Sequence, residues 1–201
     1  MLKIGLTGGI GSGKSVAGKM FSDLGIITVD ADRVSKQITS PGTPLYESIL
    51  CHFGPSILLD DGNLNRRAMR KTIFNDPAER AWLEQLLHPA IRSVLMEQVQ
   101  VIEAPYVIVI IPLLVESKKT NFIDRILLID ADESLQIQRA SERDDITHDE
   151  ALSIIKTQSS RTEKIAYADD IIINNGNLED LKQKVLSLHK FYLSISHEKD
   201  A

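Results

Sequence analysis

Eight residues near the amino terminus, Gly8-Gly9-Ile10-Gly11-Ser12-Gly13-Lys14-Ser15, narrow the possible folds more than any other feature of this chain. They match G-x-x-x-x-G-K-[ST] at every defined position. A short apolar run, Lys3 to Leu6, precedes them. An amphipathic segment, Lys14 to Leu24, follows, with Val16, Met20 and Leu24 on one face and Gly25 as its stop. Strand, glycine turn and helix in that order aim consecutive backbone N–H groups at a polyphosphate, with the helix N-terminus facing the anion. Lys14 then supplies a compact charge for β- and γ-phosphates, and the Ser15 hydroxyl is a ligand for Mg²⁺. The motif therefore predicts a P-loop that binds a nucleoside triphosphate with its metal.

The rest of the chain fits a parallel sheet with helices on both faces. Ile26-Ile27-Thr28-Val29 reads as a second strand ending at Asp30-Ala31-Asp32, and Tyr106 to Ile111 is the strongest strand signal, stopped by Pro112. Arg125 to Ile129 and Asp170 to Ile173 are two further apolar runs of strand length. Helical segments separate most of these strands, the pattern of an α/β fold. Between Asp32 and Ala104 no strand is evident and turn signals stand at Pro41-Gly42 and Asp61-Gly62, so residues 32–103 are expected to form a helical insert. Asp144 to Glu163 is polar and charged, which suits a flap, and the tail from Ser194 is expected to fray.

Composition removes several function classes. The chain has 201 residues, 43% of them hydrophobic and 25% charged, enough to bury a core without disulfides. Cys51 is the only cysteine, which excludes an internal disulfide or a clustered thiolate zinc site, and it is expected to be a small buried apolar residue. A net charge of −5 argues against a nucleic-acid partner. No signal peptide or membrane-spanning run is evident, so a cytoplasmic location is expected.

A P-loop alone does not separate kinases, GTPase switches and motor ATPases. No D-x-x-G and no N-K-x-D occurs, so the switch and guanine-reading elements of a GTPase are missing. The strongest strand ends in Pro112-Leu113-Leu114 instead of a metal-holding carboxylate. Asp30 and Asp32 stand at the carboxyl end of the second strand, where open α/β sheets bind ligands. A carboxylate there can accept a hydroxyl proton or help hold Mg²⁺, although aspartates also cap helices at such positions. Arg139, Arg143 and Arg161 bracket the polar flap and could neutralise charge on a transferring phosphoryl group, though acidic neighbours offer them surface ion pairs. His88-Pro89 follows an apolar helix, and His88 is either a structural hydrogen-bonding residue or part of an acceptor site.

Taken together these strings resemble the dephospho-coenzyme A kinase family. The resemblance rests on Gly5 through Ser15, Asp30-Ala31-Asp32, Pro41-Gly42-Thr43, His52-Phe53-Gly54-Pro55, Asp61 through Arg66 and Leu87-His88-Pro89. It continues with Ile111 through Glu116, Gln138-Arg139, Arg143-Asp144, Gln158, Ala168-Asp169 and Asn174-Asn175-Gly176. It implies a nucleoside-monophosphate-kinase-like P-loop fold: a five-stranded parallel sheet, a helical acceptor-binding subdomain over 32–103 and a helical lid over about 141–163. The core would then comprise 1–31, 104–140 and 164–201. It implies transfer from ATP, with Mg²⁺, to the ribose 3′-hydroxyl of dephospho-coenzyme A, by a monomer or small homo-oligomer. By the same match Asp32, Lys14 and Arg139 are the reacting-site residues. Gly9, Gly11, Ser12, Gly13, Lys14, Ser15, Val16 and Arg143 hold nucleotide, and Ser15 holds the metal. Thr7, Asp32, His88, Pro112, Leu113, Leu114 and Arg161 line the acceptor side. Two positions depart from the family pattern: Val16 where a second hydroxyl residue is usual, and Asn65 where an aspartate is common.

Overall fold

A computed structural model describes residues 1–117 and 121–198. Five strands, β1 (Leu2–Thr7), β2 (Thr28–Asp30), β3 (Tyr106–Ile110), β4 (Arg125–Asp130) and β5 (Asp170–Ile173), form one parallel sheet in the order β2-β3-β1-β4-β5. Strand β1 lies at its centre, with Leu6 beside Ile110 on one side and Leu127 on the other. The central strands are apolar on both faces because both faces are covered. All five residues of β3 are buried, as are Ile126 to Asp130 of β4.

On one face pack α1 (Lys14–Asp23) and α10 (Leu178–Glu198). Their Ala17, Phe21, Leu181, Val185 and Tyr192 join Leu2, Ile4, Leu6, Ile108 and Leu127 in the main core. The Phe21, Tyr106 and Tyr192 rings meet there, with centroids 5.5–6.4 Å apart. Burial raises the pKa of both tyrosines, and their hydroxyls are satisfied by His189 Nδ1 (2.7 Å) and Asp170 (2.9 Å). Asp170 also takes a two-pronged bond from Arg125, so the sheet edge and α10 are joined by polar as well as apolar contacts.

The buried face of α1 differs from the expected one. Ala17, Gly18 and Phe21 face the sheet, whereas Val16 and Leu24 are exposed. A side chain at Gly18 would collide with Ile110 Cδ1 at 2.6 Å, so the helix backbone lies directly on β3 and the small residues mark the contact. The far face carries α6 (Leu114–Ser117) and α9 (Arg161–Tyr167). Before α9 come α7 (Glu133–Asp144) and α8 (His148–Lys156), whose Ile137, Ala140 and Ala151 form a small separate core with Ile10, Ile146, Leu152 and Ile155. Capping boxes at Thr147/Glu150 and Ser160/Glu163 start α8 and α9, each worth about 1 kcal/mol. The expected flap is thus built of capped helices. The carboxyl tail is likewise helical to Glu198, not frayed from Ser194, and the last three residues of that expectation lie outside the described residues.

The chain divides into two compact units, residues 1–30 with 99–201, and residues 31–98. The second contains α2 (Ala31–Ile38), α3 (Pro44–Phe53), a 3₁₀ turn (Pro55–Ile57), α4 (Arg66–Asn75) and most of α5 (Pro77–Gln100). Its own core gathers Tyr46, Ile49, Ile57, Leu64, Met69 and Leu83. Two local expectations fail here. Helix α5 runs through His88 and Pro89 instead of ending before them, although Pro89 lacks the N–H that Gln85 would receive. Cys51 is exposed, because α3 turns Tyr46 and Ile49 inward.

Candidate active site

The glycine loop leaves β1 at Thr7 and enters α1 at Lys14, at the carboxyl edge of the central strand. Thr7 Oγ1 donates to the Pro112 carbonyl (3.2 Å) and the Ile111 amide donates to Leu6, tying the exits of β1 and β3 together. Close packing explains the glycines. A Cβ on Gly11 would overlap the Gln136 carbonyl of α7. Gly13 has φ +99°, and a Cβ there would overlap Asn174 Nδ2. Lys14 curls back so that Nζ donates to the carbonyls of Gly8 (2.6 Å) and Gly9 (2.7 Å). Its ammonium thereby sits at the Gly8 and Gly9 carbonyls. Ser12 is fully buried, and its Oγ has no partner among the described residues.

Asn174, immediately after β5, organises the opposite side. Its amide donates to Asp130 (2.7 Å), its Nδ2 donates to the Ser12 carbonyl (2.8 Å) and its carbonyl accepts from Arg139 Nη1 (3.0 Å). Arg139, Asn174, Gly13, Val16, Gly176 and Leu178 border a cavity of about 180 Å³ at the start of α1. Arg139 thus lies beside the loop, and the exposed Val16 lines the same hollow. The part played by Asn174 was not apparent in the sequence beyond its place in Asn174-Asn175-Gly176, since its partners are 44 and 162 residues away in Asp130 and Ser12.

Of the flap arginines, Arg161 grips Asp130 through Nε and Nη2 (2.6–3.1 Å) and reaches Asp132 at 3.2 Å. These bonds, chiefly the one to Asp130, raise its pKa. Arg143 pairs with its neighbour Asp144 at the exposed end of α7. Pro112, Leu113 and Leu114 follow β3, with Leu114 buried and Leu113 exposed. Asp32 stands in the first turn of α2, two residues past the end of β2, and so belongs to the second compact unit, as does His88 in α5. Within that unit Arg66 donates to Thr39 Oγ1 (2.8 Å); partial burial lowers its pKa and the nearby Asp32 charge raises it.

Among the described residues no three His, Cys, Asp or Glu side chains cluster as metal ligands. The Ser15 side chain is exposed in the first turn of α1. No helix among the described residues is long and apolar enough to cross a membrane.

Comparison with known proteins places these features in a family. The chain matches the dephospho-CoA kinase (CoaE) family model over residues 2–180. It is 47% identical over 197 residues to the dephospho-CoA kinase of Aggregatibacter actinomycetemcomitans, covering 96% of this chain and 95% of that one. It is 45% identical to the dephospho-CoA kinase of Coxiella burnetii, covering 98% and 99%. A solved structure from Thermus thermophilus superposes with a TM-score of 0.80 at 31% identity, covering 94% of this chain and 96% of that one. The dephospho-CoA kinase of Campylobacter jejuni superposes at 0.69 with 25% identity, covering 98% of each. A shikimate kinase from Acinetobacter baumannii, 18% identical with a TM-score of 0.58 and covering 94% and 92%, shares the fold. The full-length match and the P-loop together establish that the chain belongs to the dephospho-CoA kinase family.

Proposed function

We propose that this chain transfers the γ-phosphoryl group of ATP to the ribose 3′-hydroxyl of dephospho-CoA, yielding CoA and ADP, the last step of CoA biosynthesis. The observation that carries the reading is the P-loop itself, with Lys14 Nζ bonded to its Gly8 and Gly9 carbonyls, in a chain of this family. Lys14 exchanges its two carbonyls for β- and γ-phosphate oxygens when nucleotide enters. The loop amides of Gly9 through Ser15 hold the β-phosphate, and the buried Ser12 hydroxyl gains the partner it lacks. The hollow beside Gly13 and Val16 takes the base, bordered by Arg139.

Asp32 accepts or orients the acceptor hydroxyl proton, a role worth about 10²–10⁴-fold in rate. Arg139 uses N–H groups beyond its Asn174 bond on the phosphoryl oxygens, and Arg143 supports the nucleotide. Thr7, His88, Pro112, Leu113, Leu114 and Arg161 line the acceptor. Ser15 would hold Mg²⁺, which would offset negative charge on the nucleotide's phosphates. Residues 32–103 serve as the acceptor-binding insert and about 141–163 as the lid, in a cytoplasmic monomer or small homo-oligomer without nucleic-acid or membrane partners.

The test is acceptor choice. With ATP and Mg²⁺, ADP release should require dephospho-CoA and remain at background with AMP. The product should carry a new phosphomonoester on the ribose 3′ position by ³¹P NMR. Turnover of AMP without turnover of dephospho-CoA would reject the reading.

A further inference from the structure

Lys164, in the second turn of α9, has a side chain only 11% exposed. Its Nζ donates to Gln158 Oε1 (3.2 Å), and that same oxygen accepts the Ile10 amide of the P-loop (3.3 Å). Its nearest carboxylate, Glu116 Oε1, is 4.0 Å away and is itself occupied by the Ser159 amide at 2.8 Å. The other Glu116 oxygen is buried without a partner among the described residues. Burial lowers the Lys164 pKa, against the attraction of Glu116, Asp130 and Glu163. A buried ammonium with one hydrogen bond among the described residues and a loose counter-ion is poorly compensated.

Its location says what would compensate it. Lys14, whose ammonium follows the β- and γ-phosphates, rests on the Gly8 and Gly9 carbonyls, and the next amide in the loop is that of Ile10. Gln158 Oε1 thus accepts from the loop amide next to the two carbonyls that hold the Lys14 ammonium, and a phosphate oxygen there would accept from the same two donors. Ile10 packs its side chain among Ile137, Ala140 and Ala151, so this end of the loop is set against α7 and α8.

We propose that Lys164 is a further catalytic cation, which binds the γ-phosphoryl group of ATP after Gln158 yields the Ile10 amide and the ammonium to it. This rests on the kinase reading only in requiring ATP as donor. No bond is made or broken by Lys164; it stays protonated and offsets charge on the transferring phosphoryl oxygens. ADP, lacking that phosphate, leaves Gln158 in place.

The experiment compares Mg²⁺ complexes of ADP and of the unreactive ATP analogue AMP-PNP by calorimetry, without acceptor, so the outcome does not depend on which alcohol is phosphorylated. Lys164→Gln should weaken AMP-PNP by about tenfold or more while ADP changes less than about threefold, and should lower kcat by about 10²-fold. Lys164→Arg should recover most of both, since either cation serves phosphate. Equal weakening of the two nucleotides, or unchanged AMP-PNP affinity with near-parental kcat, would overturn the proposal. Gln158→Glu is an isosteric second variant that keeps the acceptor but adds negative charge. It should weaken AMP-PNP selectively, and an equal effect on ADP would count against the assignment. Failure of the parent protein to phosphorylate dephospho-CoA would reject the proposed function and leave this comparison standing.

Discussion

Gly13→Ala tests how the loop is held, and its cost can be assembled from two contributions. The first is backbone strain: φ is +99°, a region costing an L-residue about 1–3 kcal/mol. The second is the collision of the new Cβ with Asn174 Nδ2, which breaks the bond to the Ser12 carbonyl and removes about 0.5–1.5 kcal/mol. Together they make about 1.5–4.5 kcal/mol, equivalent to roughly 10- to 10³-fold in an equilibrium constant. If the folded loop retains its shape the cost appears as lower stability, about 2–4 °C in Tm per kcal/mol for a chain of this size. If the loop relaxes, the cost appears as weaker nucleotide binding. Calorimetric titration with Mg²⁺·ADP and a thermal melt on the same sample capture both. Gly25→Ala is the control: φ is +84° but no atom lies within 4 Å of a Cβ there. It should lower Tm by the strain alone and leave ADP affinity unchanged. A Gly13→Ala protein with ADP affinity within about twofold and an unmoved Tm would refute the reasoning, because neither route could hide a cost of that size.

Two smaller outcomes follow from contacts elsewhere. Arg161→Ala leaves Asp130, 5% exposed, without its hydrogen-bonded guanidinium; because that group is itself half exposed, about 1–3 kcal/mol of stability should be lost, seen as a lower Tm, and an unchanged Tm would show the pair to be idle. Cys51 is exposed on α3, so a thiol reagent such as DTNB should titrate one thiol per native chain without denaturant, and reaction only after unfolding would contradict its placement.

What could be read from the sequence divides by the range of the interactions. The P-loop, the strand runs and the helical stretch between Asp32 and Ala104 are local signals, and the structure bears them out as β1 through β5 and as α2 through α5. The buried face of α1 was misjudged because apolar character pointed to Val16 and Leu24, while the decisive contact is made by Gly18 through lacking a side chain. The His88-Pro89 step points to a helix end before it, yet α5 continues past Pro89 to Gln100. Asn174 clamps the loop from 162 residues away, and Lys164 meets Ile10 only through Gln158. Such partners are products of sheet order and leave no periodic trace.

The division of labour between loop and acceptor carboxylate is tested most directly by Asp32→Asn. Its kcat for dephospho-CoA phosphorylation and its Mg²⁺·ADP affinity should be measured side by side. The account predicts a loss of about 10²–10⁴-fold in kcat with ADP affinity within about twofold of the parent. A variant that turns over at the parental rate would contradict it.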